Sequence, residues 1–345
     1  MRSLFTPRTL VRHSFLAMGT DVMVTLAPRR RHLIKKARDA IVDVQIMIRE
    51  FGRDGWAWGD GDLGTFNRQL AVGERAAIPP ALKPIFDRAW SISLASGGHY
   101  EPRIAQLVHL WGFDDLMRLR DTPPTHEEIE QRVQAMQRAP DYDATSDHYG
   151  PAPLTGWDFG GIAKGYIVDR ALDLLTHAGF GDATVDAGGN VSARGRKHDR
   201  SWLIGIRKPL ELGDDADAPS LLASLAVNNE AVNTHGDDQR FFMFQGRRYG
   251  HLLDPRSGVP VQGLRSLTVV HRDGMLAEAG GAALFVAGPQ AWPTLAAKLG
   301  IDQVFAVHSD GRIQATVALA ARLRVEPGVN IDVVDLAKES EIAID

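Results

Sequence analysis

The chain has 345 residues, 44% hydrophobic and 24% charged, ordinary values for a globular protein whose core is large enough for one big domain or two. Its net charge of −4 excludes a general electrostatic pull toward nucleic acid or an anionic membrane. With no cysteine, a disulfide framework and a cysteine-ligated metal centre are excluded as well.

In chain order, Pro7, Arg8, Arg12 and His13 interrupt any apolar run at the N-terminus, so no secretory h-region is read there. A lipoprotein anchor would need a cysteine, and no run reaches the roughly 18 apolar residues of a membrane span. The expectation is a soluble, cytoplasmic protein. Residues 15–26 alternate as a strand, with Met18-Gly19-Thr20 interrupting it as a bulge or as a close approach of a ligand to the backbone. Residues 31–50 place Ile34, Ala37, Ile41, Val44 and Ile48 on one helical face. A loop at 51–62 is rich in glycine and aspartate and holds two tryptophans. A helix over 80–96 ends at Gly97-Gly98, and a third begins within 101–110. The polar, proline-bearing region 118–156 reads as a surface excursion with one short helix at 126–137. An amphipathic helix follows at 166–175. Strands are expected at 184–193, 202–208 and 221–227, with an acidic turn at 213–219. A meander follows over 231–233, 240–245 and 249–253, and a further strand over 266–270. Helices at 275–287 and 290–299 precede a closing hairpin of 303–308 and 313–317. Strands and helices mix without steady βαβ alternation, which predicts an α+β fold with a mostly antiparallel sheet and packed helices. No Gly-x-Gly-x-x-Gly follows the first strand, which disfavours a Rossmann dinucleotide site.

The most informative stretch is Asp158-Phe159-Gly160-Gly161-Ile162-Ala163-Lys164-Gly165. A glycine turn opening a helix leaves backbone N–H groups free for a phosphate, and Lys164 adds a positive charge on the same turn. The stretch fits equally a glycine-rich connector that binds nothing. Asp186-Ala187-Gly188-Gly189-Asn190 is either a second backbone wall for a phosphate or an adenine, or a tight hairpin. Met18 could lie against an aromatic ring system or pack in the core. In His99-Tyr100-Glu101-Pro102, Tyr100 offers a surface for a flat ligand. Leu110-Trp111-Gly112-Phe113 reads as a buried helix end. In His251-Leu252-Leu253-Asp254-Pro255-Arg256-Ser257-Gly258, His251 could take a proton from an attacking hydroxyl. Asp254 could orient that histidine, hold a metal, or only cap the turn. Residues 277–286 start a helix crowded with small side chains, with Glu278 either a lone carboxylate beside a site or a solvated one.

In order, Met18-Gly19-Thr20, Tyr100-Glu101-Pro102, Leu110-Trp111-Gly112-Phe113, the 158–166 and 186–190 stretches, Asn233-Thr234-His235-Gly236-Asp237, the 249–258 stretch and the helix start at Glu278 form a series. That series, from about residue 15 to about residue 288, resembles the flavin transferase (ApbE) family, the FAD:protein FMN transferases. The resemblance implies a single domain over 1–345, with the polar excursion near 118–156. It implies an enzyme that moves FMN from FAD to a Ser or Thr hydroxyl of an acceptor flavoprotein subunit and releases AMP. FAD would be the substrate and Mg²⁺ the metal. Met18, His99, Tyr100, Glu101, Asp158, Lys164 and Leu252 would contact FAD, Ala163 would offer its carbonyl to magnesium, and His251 would be the base. Some members instead hydrolyse FAD to FMN and AMP.

Such chemistry is mostly positioning and charge stabilisation, with a base for the attacking alcohol. The chain departs from the family pattern in places. The family carries Asp-Ala-x-x-Thr or a near variant at the late helix, with both side chains on magnesium. Here the aligned residues are Glu278, which can still ligate magnesium with its carboxylate shifted by one methylene, and Ala282, which has no side-chain ligand. Altered or weaker metal binding is therefore expected, with an FAD-binding carrier or sensor, or an FAD pyrophosphatase, as the alternative activity. Thr234-His235-Gly236 replaces Thr-Ser-Gly, and Trp56 or Trp58 stands where the family has a tyrosine.

Overall fold

In the computed structural model the described residues are 9–115, 119–210, 220–237 and 240–338. The expected acidic turn at 213–219 lies outside them, as do Pro7 and Arg8. Among the described residues a nine-stranded sheet forms the centre. Its strands, in spatial order, are Val11–Ala17, Thr20–Leu26, Ala183–Ala187, Asn190–Arg194, Glu230–Gly236, Leu264–His271, Val304–His308, Ile313–Thr316 and Asp332–Val334. Neighbours are antiparallel except the last pair, which is parallel. The α+β architecture with a mostly antiparallel sheet is thus as the sequence predicts. Trp202–Arg207, Leu221–Val227 and Leu323–Val325 make a separate three-stranded sheet, and Phe241–Phe244 pairs with Arg247–Gly250 as a hairpin.

Two expected strands prove to be hairpins. Met18 and Gly19 both take positive φ, 53° and 69°, the backbone of a two-residue type I′ turn. Residues 15–26 therefore reverse at a turn instead of bulging. The 184–193 segment reverses at Gly188 and Gly189, with φ of 62° and 88°, so the tight-hairpin alternative holds there. The two tips touch, since a Cβ on Gly188 would stand 2.3 Å from Thr20 Oγ1.

The helices cover the sheet through the residues that the 3.6-residue period marks. Ile34–Asp54 buries Ala37, Ile41, Val44 and Ile48 against Val22 and Val24 of the sheet and against Ile167, Val168 and Ala171 of the Ala163–His177 helix. A helix at Asp62–Ala71 was not expected, because the glycine- and aspartate-rich loop before it masks the period. It buries Leu63, Phe66 and Leu70 in the main core. The polar 118–156 region carries the His126–Arg138 helix, started by a Thr125/Glu128 capping box. It also sends Tyr142 and Tyr149 into the aromatic core around Trp157. The expected helices at 275–287 and 290–299 are two arms of Gly274–Leu299, broken where Gly288 takes φ 79° before Pro289. Among the described residues no helix is long and apolar enough to cross a membrane.

One packing detail positions the site. The Ala163–His177 and Gly274–Leu299 helices cross at their first turns, so closely that a Cβ on Gly165 would lie 2.2 Å from the Gly274 carbonyl oxygen. The Gly274 N–H donates to Asp169 Oδ2 at 2.9 Å across the same contact. Gly165 is thus a helix-crossing glycine, and the two positive helix ends are brought together.

Candidate active site

A cavity of about 420 Å³ opens beside these helix starts, between the two hairpin tips and the 251–255 segment. Met18, His99, Tyr100, Glu101, Asp158, Ala163, Lys164, His251 and Leu252 all line it, so residues spread over most of the chain are gathered into one place. Glu278 lies beneath the wall, fully buried.

Glu278 is held from three sides. Oε2 accepts from the Gly165 N–H at 2.7 Å, and Oε1 accepts from Asn190 Nδ2 at 3.1 Å. Lys164 Nζ stands 2.8 Å from the same Oε1. The ammonium also donates to the Gly160 carbonyl at 3.2 Å. Of the two readings of Glu278, the solvated one fails. The small residues of this helix admit a further neighbour: a Cβ on Gly281 would lie 2.9 Å from the His235 ring. His235 Nε2 donates to the Glu278 backbone carbonyl at 2.8 Å, which fixes the proton on that nitrogen. Burial, then Lys164, lower the His235 pKa to about 4, so the ring is neutral.

His251 sits edge-on to Phe113, 6.4 Å between ring centres. Burial first, then the Arg240 charge, lower its pKa to about 3, which leaves a neutral imidazole able to accept a proton. Asp158 caps the glycine turn by accepting from the Gly160 N–H at 2.8 Å. Burial raises its pKa, against the pull of that N–H and of Lys164 and Arg240. Arg240 is a site residue that the sequence reading missed. It lines the cavity half-buried, and among the described residues its guanidinium has no hydrogen bond or ion pair. Its place between Thr234-His235-Gly236 and His251 was the available signal. Asn190, read only as part of a backbone turn, was missed as a side chain.

Two candidate carboxylates are engaged by neighbouring arginines. The Glu101 carboxylate is engaged with Arg103, through Nε at 2.8 Å and Nη2 at 2.7 Å, and that guanidinium lies over Trp90. Asp254 neither orients His251 nor stands free. It accepts from the Arg256 backbone N–H and from the Arg256 side chain, each at 2.9 Å, so it caps the turn. Arg256 in turn donates to His99 Nε2 at 2.7 Å, while His99 Nδ1 donates to the Ser96 carbonyl at 2.7 Å.

The cavity fits a flat, polar ligand. Trp58 Nε1, Tyr100 Oη and His251 Nδ1 are buried polar atoms without a partner among the described residues, and all three side chains line it. Buried polar atoms are normally paired, so a ligand is the natural partner. Trp56 and Trp58 meet edge to face at the mouth, 5.2 Å apart. The magnesium that the resemblance implies fits poorly. Mg²⁺ demands near-octahedral oxygen ligands. Here the Glu278 carboxylate is occupied by two N–H donors and an ammonium, and Ala282 offers no oxygen.

The ApbE family model matches residues 18–305. A relative from Rhodobacter capsulatus, named FAD:protein FMN transferase, is 31% identical over 100% of this chain, and the chain spans 65% of that relative's length. A relative of the same name from Treponema pallidum is 30% identical, over 90% of this chain and 88% of the relative. Among solved structures, the apo flavinyl transferase ApbE of Pseudomonas stutzeri superposes with a TM-score of 0.77 at 25% identity, over 93% of this chain and 98% of that one. The ApbE protein of Thermotoga maritima gives 0.80 at 23%, over 92% and 100%. With the family model matched over residues 18–305 and a relative 30% identical over 88% of its own length, this chain belongs to the ApbE family.

Proposed function

We propose that the chain is an FAD:protein FMN transferase. It would move FMN from FAD to a Ser or Thr hydroxyl of an acceptor flavoprotein and release AMP. The observation that carries this reading is the convergence, in one cavity, of an unprotonated His251 with two cations, Lys164 and Arg240, beside unpartnered donors at Trp58 and Tyr100. The names of the relatives from Rhodobacter capsulatus and Treponema pallidum support it. A sheet that draws strands from Val11 to Val334 supports reading the chain as one domain.

Tyr100, Met18, His99 and Leu252 would hold the flavin and adenosine parts of FAD. The Gly161 N–H and the positive end of the Ala163–His177 helix would face the pyrophosphate, since the Gly160 N–H is taken by Asp158. The acceptor oxygen attacks the phosphorus that carries riboflavin. The bond from that phosphorus to the bridging oxygen breaks, and its electron pair stays on AMP. The hydroxyl proton passes to His251. Its low pKa in the free protein makes it a weak base, but a bound pyrophosphate brings two negative charges that favour the imidazolium.

The test is FAD plus a purified FMN-binding subunit that carries a Ser or Thr target, read by covalent flavin fluorescence and AMP release, with and without Mg²⁺. Covalent flavin and AMP in equal amounts support the proposal. Free FMN without acceptor marks pyrophosphatase activity instead. FAD binding with neither product sinks the transferase reading and leaves a flavin-binding protein, the outcome that the missing ligand at Ala282 favours.

A further inference from the structure

We propose that this chain balances the charge of the FAD pyrophosphate with two of its own side chains, the Lys164 ammonium and the Arg240 guanidinium, and that transfer proceeds without a divalent cation. The inference rests on the flavin-transferase reading above.

Three observations carry it. The first is that Glu278 is already engaged by three donors, which leaves open only one of its roughly four acceptor positions, on Oε2. Its oxygens receive Gly165 N, Asn190 Nδ2 and Lys164 Nζ at 2.7, 3.1 and 2.8 Å, in a fully buried setting. A metal would have to take that last position beside the Lys164 ammonium, or displace the ammonium, and either way two cations would crowd one carboxylate. The second is that the next turn of the same helix presents Ala282, which has no oxygen to complete a coordination shell. The third is that the cavity already holds two cations of its own. Lys164 is 26% exposed and fastened at both Glu278 and the Gly160 carbonyl, so Glu278 serves to hold the ammonium in place. Arg240 lines the cavity half-buried and without an ion pair among the described residues, which leaves its charge open to a ligand. Both charges bear on Asp158 and on His251, so the two cations act on the same small volume. A pyrophosphate diester brings two negative charges into that volume. Arg and Lys clamps stabilise a transferring phosphoryl group in the manner of a metal, by fixed positive charge aimed at the developing negative oxygen. As the phosphorus–oxygen bond breaks, the charge that appears on the AMP oxygen would be met by these cations.

The whole chain, stripped of metal by chelator, is assayed for AMP release and covalent flavin with EDTA and across a Mg²⁺ titration. In parallel, Mn²⁺ alone is titrated and followed by electron paramagnetic resonance. The proposal expects rates within about twofold in EDTA and Mg²⁺, and no stoichiometric Mn²⁺ site. Arg240→Met should lower turnover by about 100-fold, the effect of removing one transition-state donor. Lys164→Met should do likewise in EDTA and should regain part of its rate with Mg²⁺, because Glu278 is then released. Loss of wild-type turnover in EDTA with recovery in Mg²⁺ overturns the proposal and leaves the transferase reading intact. If no condition yields AMP, it is the transferase reading that fails. The charge role is then decided by FAD binding to the chelated protein, followed by flavin fluorescence. Weakening of about tenfold in Arg240→Met supports that role, and unchanged affinity refutes it.

Discussion

Glu278→Gln perturbs the centre of the site while keeping its shape. The Gly165 N–H lies on Oε2 at 2.7 Å and belongs to a buried helix turn that cannot move away. The amide oxygen of glutamine must therefore take that position, and its NH₂ must face Lys164 and Asn190, both donors. Asn190 can turn its own amide and accept, which recovers one hydrogen bond. The ammonium has no such remedy. Breaking a buried ion pair from one side costs about 3–5 kcal/mol. Because Lys164 is 26% exposed, it can rehydrate in the cavity, and the expected loss falls to about 2 kcal/mol. The assay is urea unfolding without flavin, read as a lowered midpoint at constant slope. Lys164→Met completes a double-mutant cycle with an expected coupling of about 1–2 kcal/mol. A loss below about 0.5 kcal/mol for Glu278→Gln, or additivity of the pair within that margin, refutes the claim that the ion pair organises the site.

Tyr100→Phe removes a buried hydroxyl that has no partner, so stability of the free chain should hold or rise slightly, while FAD affinity should fall by about 1 kcal/mol, near fivefold. Thermal melts and flavin fluorescence titration check the two halves. Burial raises the Asp169 pKa to about 6, above its unfolded value, so the group stabilises the fold below pH 3.8 and that contribution is lost as pH rises through 6. Asp169→Asn should therefore gain on the wild type by about 1 kcal/mol between pH 5 and pH 8 in urea unfolding, and a constant difference would count against the buried-charge argument. For His251, burial sets a pKa of about 3 in the free protein, so kcat/KM for FAD should stay flat as pH falls from 8 to 5. The limb of kcat should lie at higher pH, because bound pyrophosphate favours the imidazolium. A shared limb near 6.5 would mean that the ring is not buried as described.

The sequence revealed more of the site than of its supports. The motif residues from Met18 to His251 line one cavity because each marks a place where the chain must turn or a helix must begin, and turn residues are visible in one dimension. The hairpins at Met18-Gly19 and Gly188-Gly189 were blurred because apolar alternation continues on both sides of a two-residue turn. The Asp62–Ala71 helix was lost behind a glycine-rich approach, although its period is intact at Leu63, Phe66 and Leu70. Arg240 and Asn190 could not be ranked from sequence. Their importance comes from what lies opposite them, an unpaired cavity wall in one case and a buried carboxylate in the other. Asp254 shows the converse: three roles fitted its spacing, and only the placement of Arg256 and His99 selected the turn cap.

Glycine in the 158–165 stretch has two separable jobs, and the separation bears on how the site tolerates change. At Gly160 and Gly161 the glycines face the cavity: Gly160 N–H is oriented by Asp158, and a Cβ on Gly161 would press within 3.3 Å of the Tyr100 ring. Gly165 faces away, into the crossing with Gly274, where a methyl group would strike backbone. That crossing fixes the distance between the Gly165 N–H and Glu278, and through Glu278 the place of Lys164. The place of the ammonium at the cavity wall is therefore set by how closely two helix starts approach, which the glycine pair decides, and side-chain identity at 282 enters only afterwards. The small side chain of Ala282 takes no part in holding the ammonium, since Lys164 is held by a carboxylate and a carbonyl that belong to the packing itself.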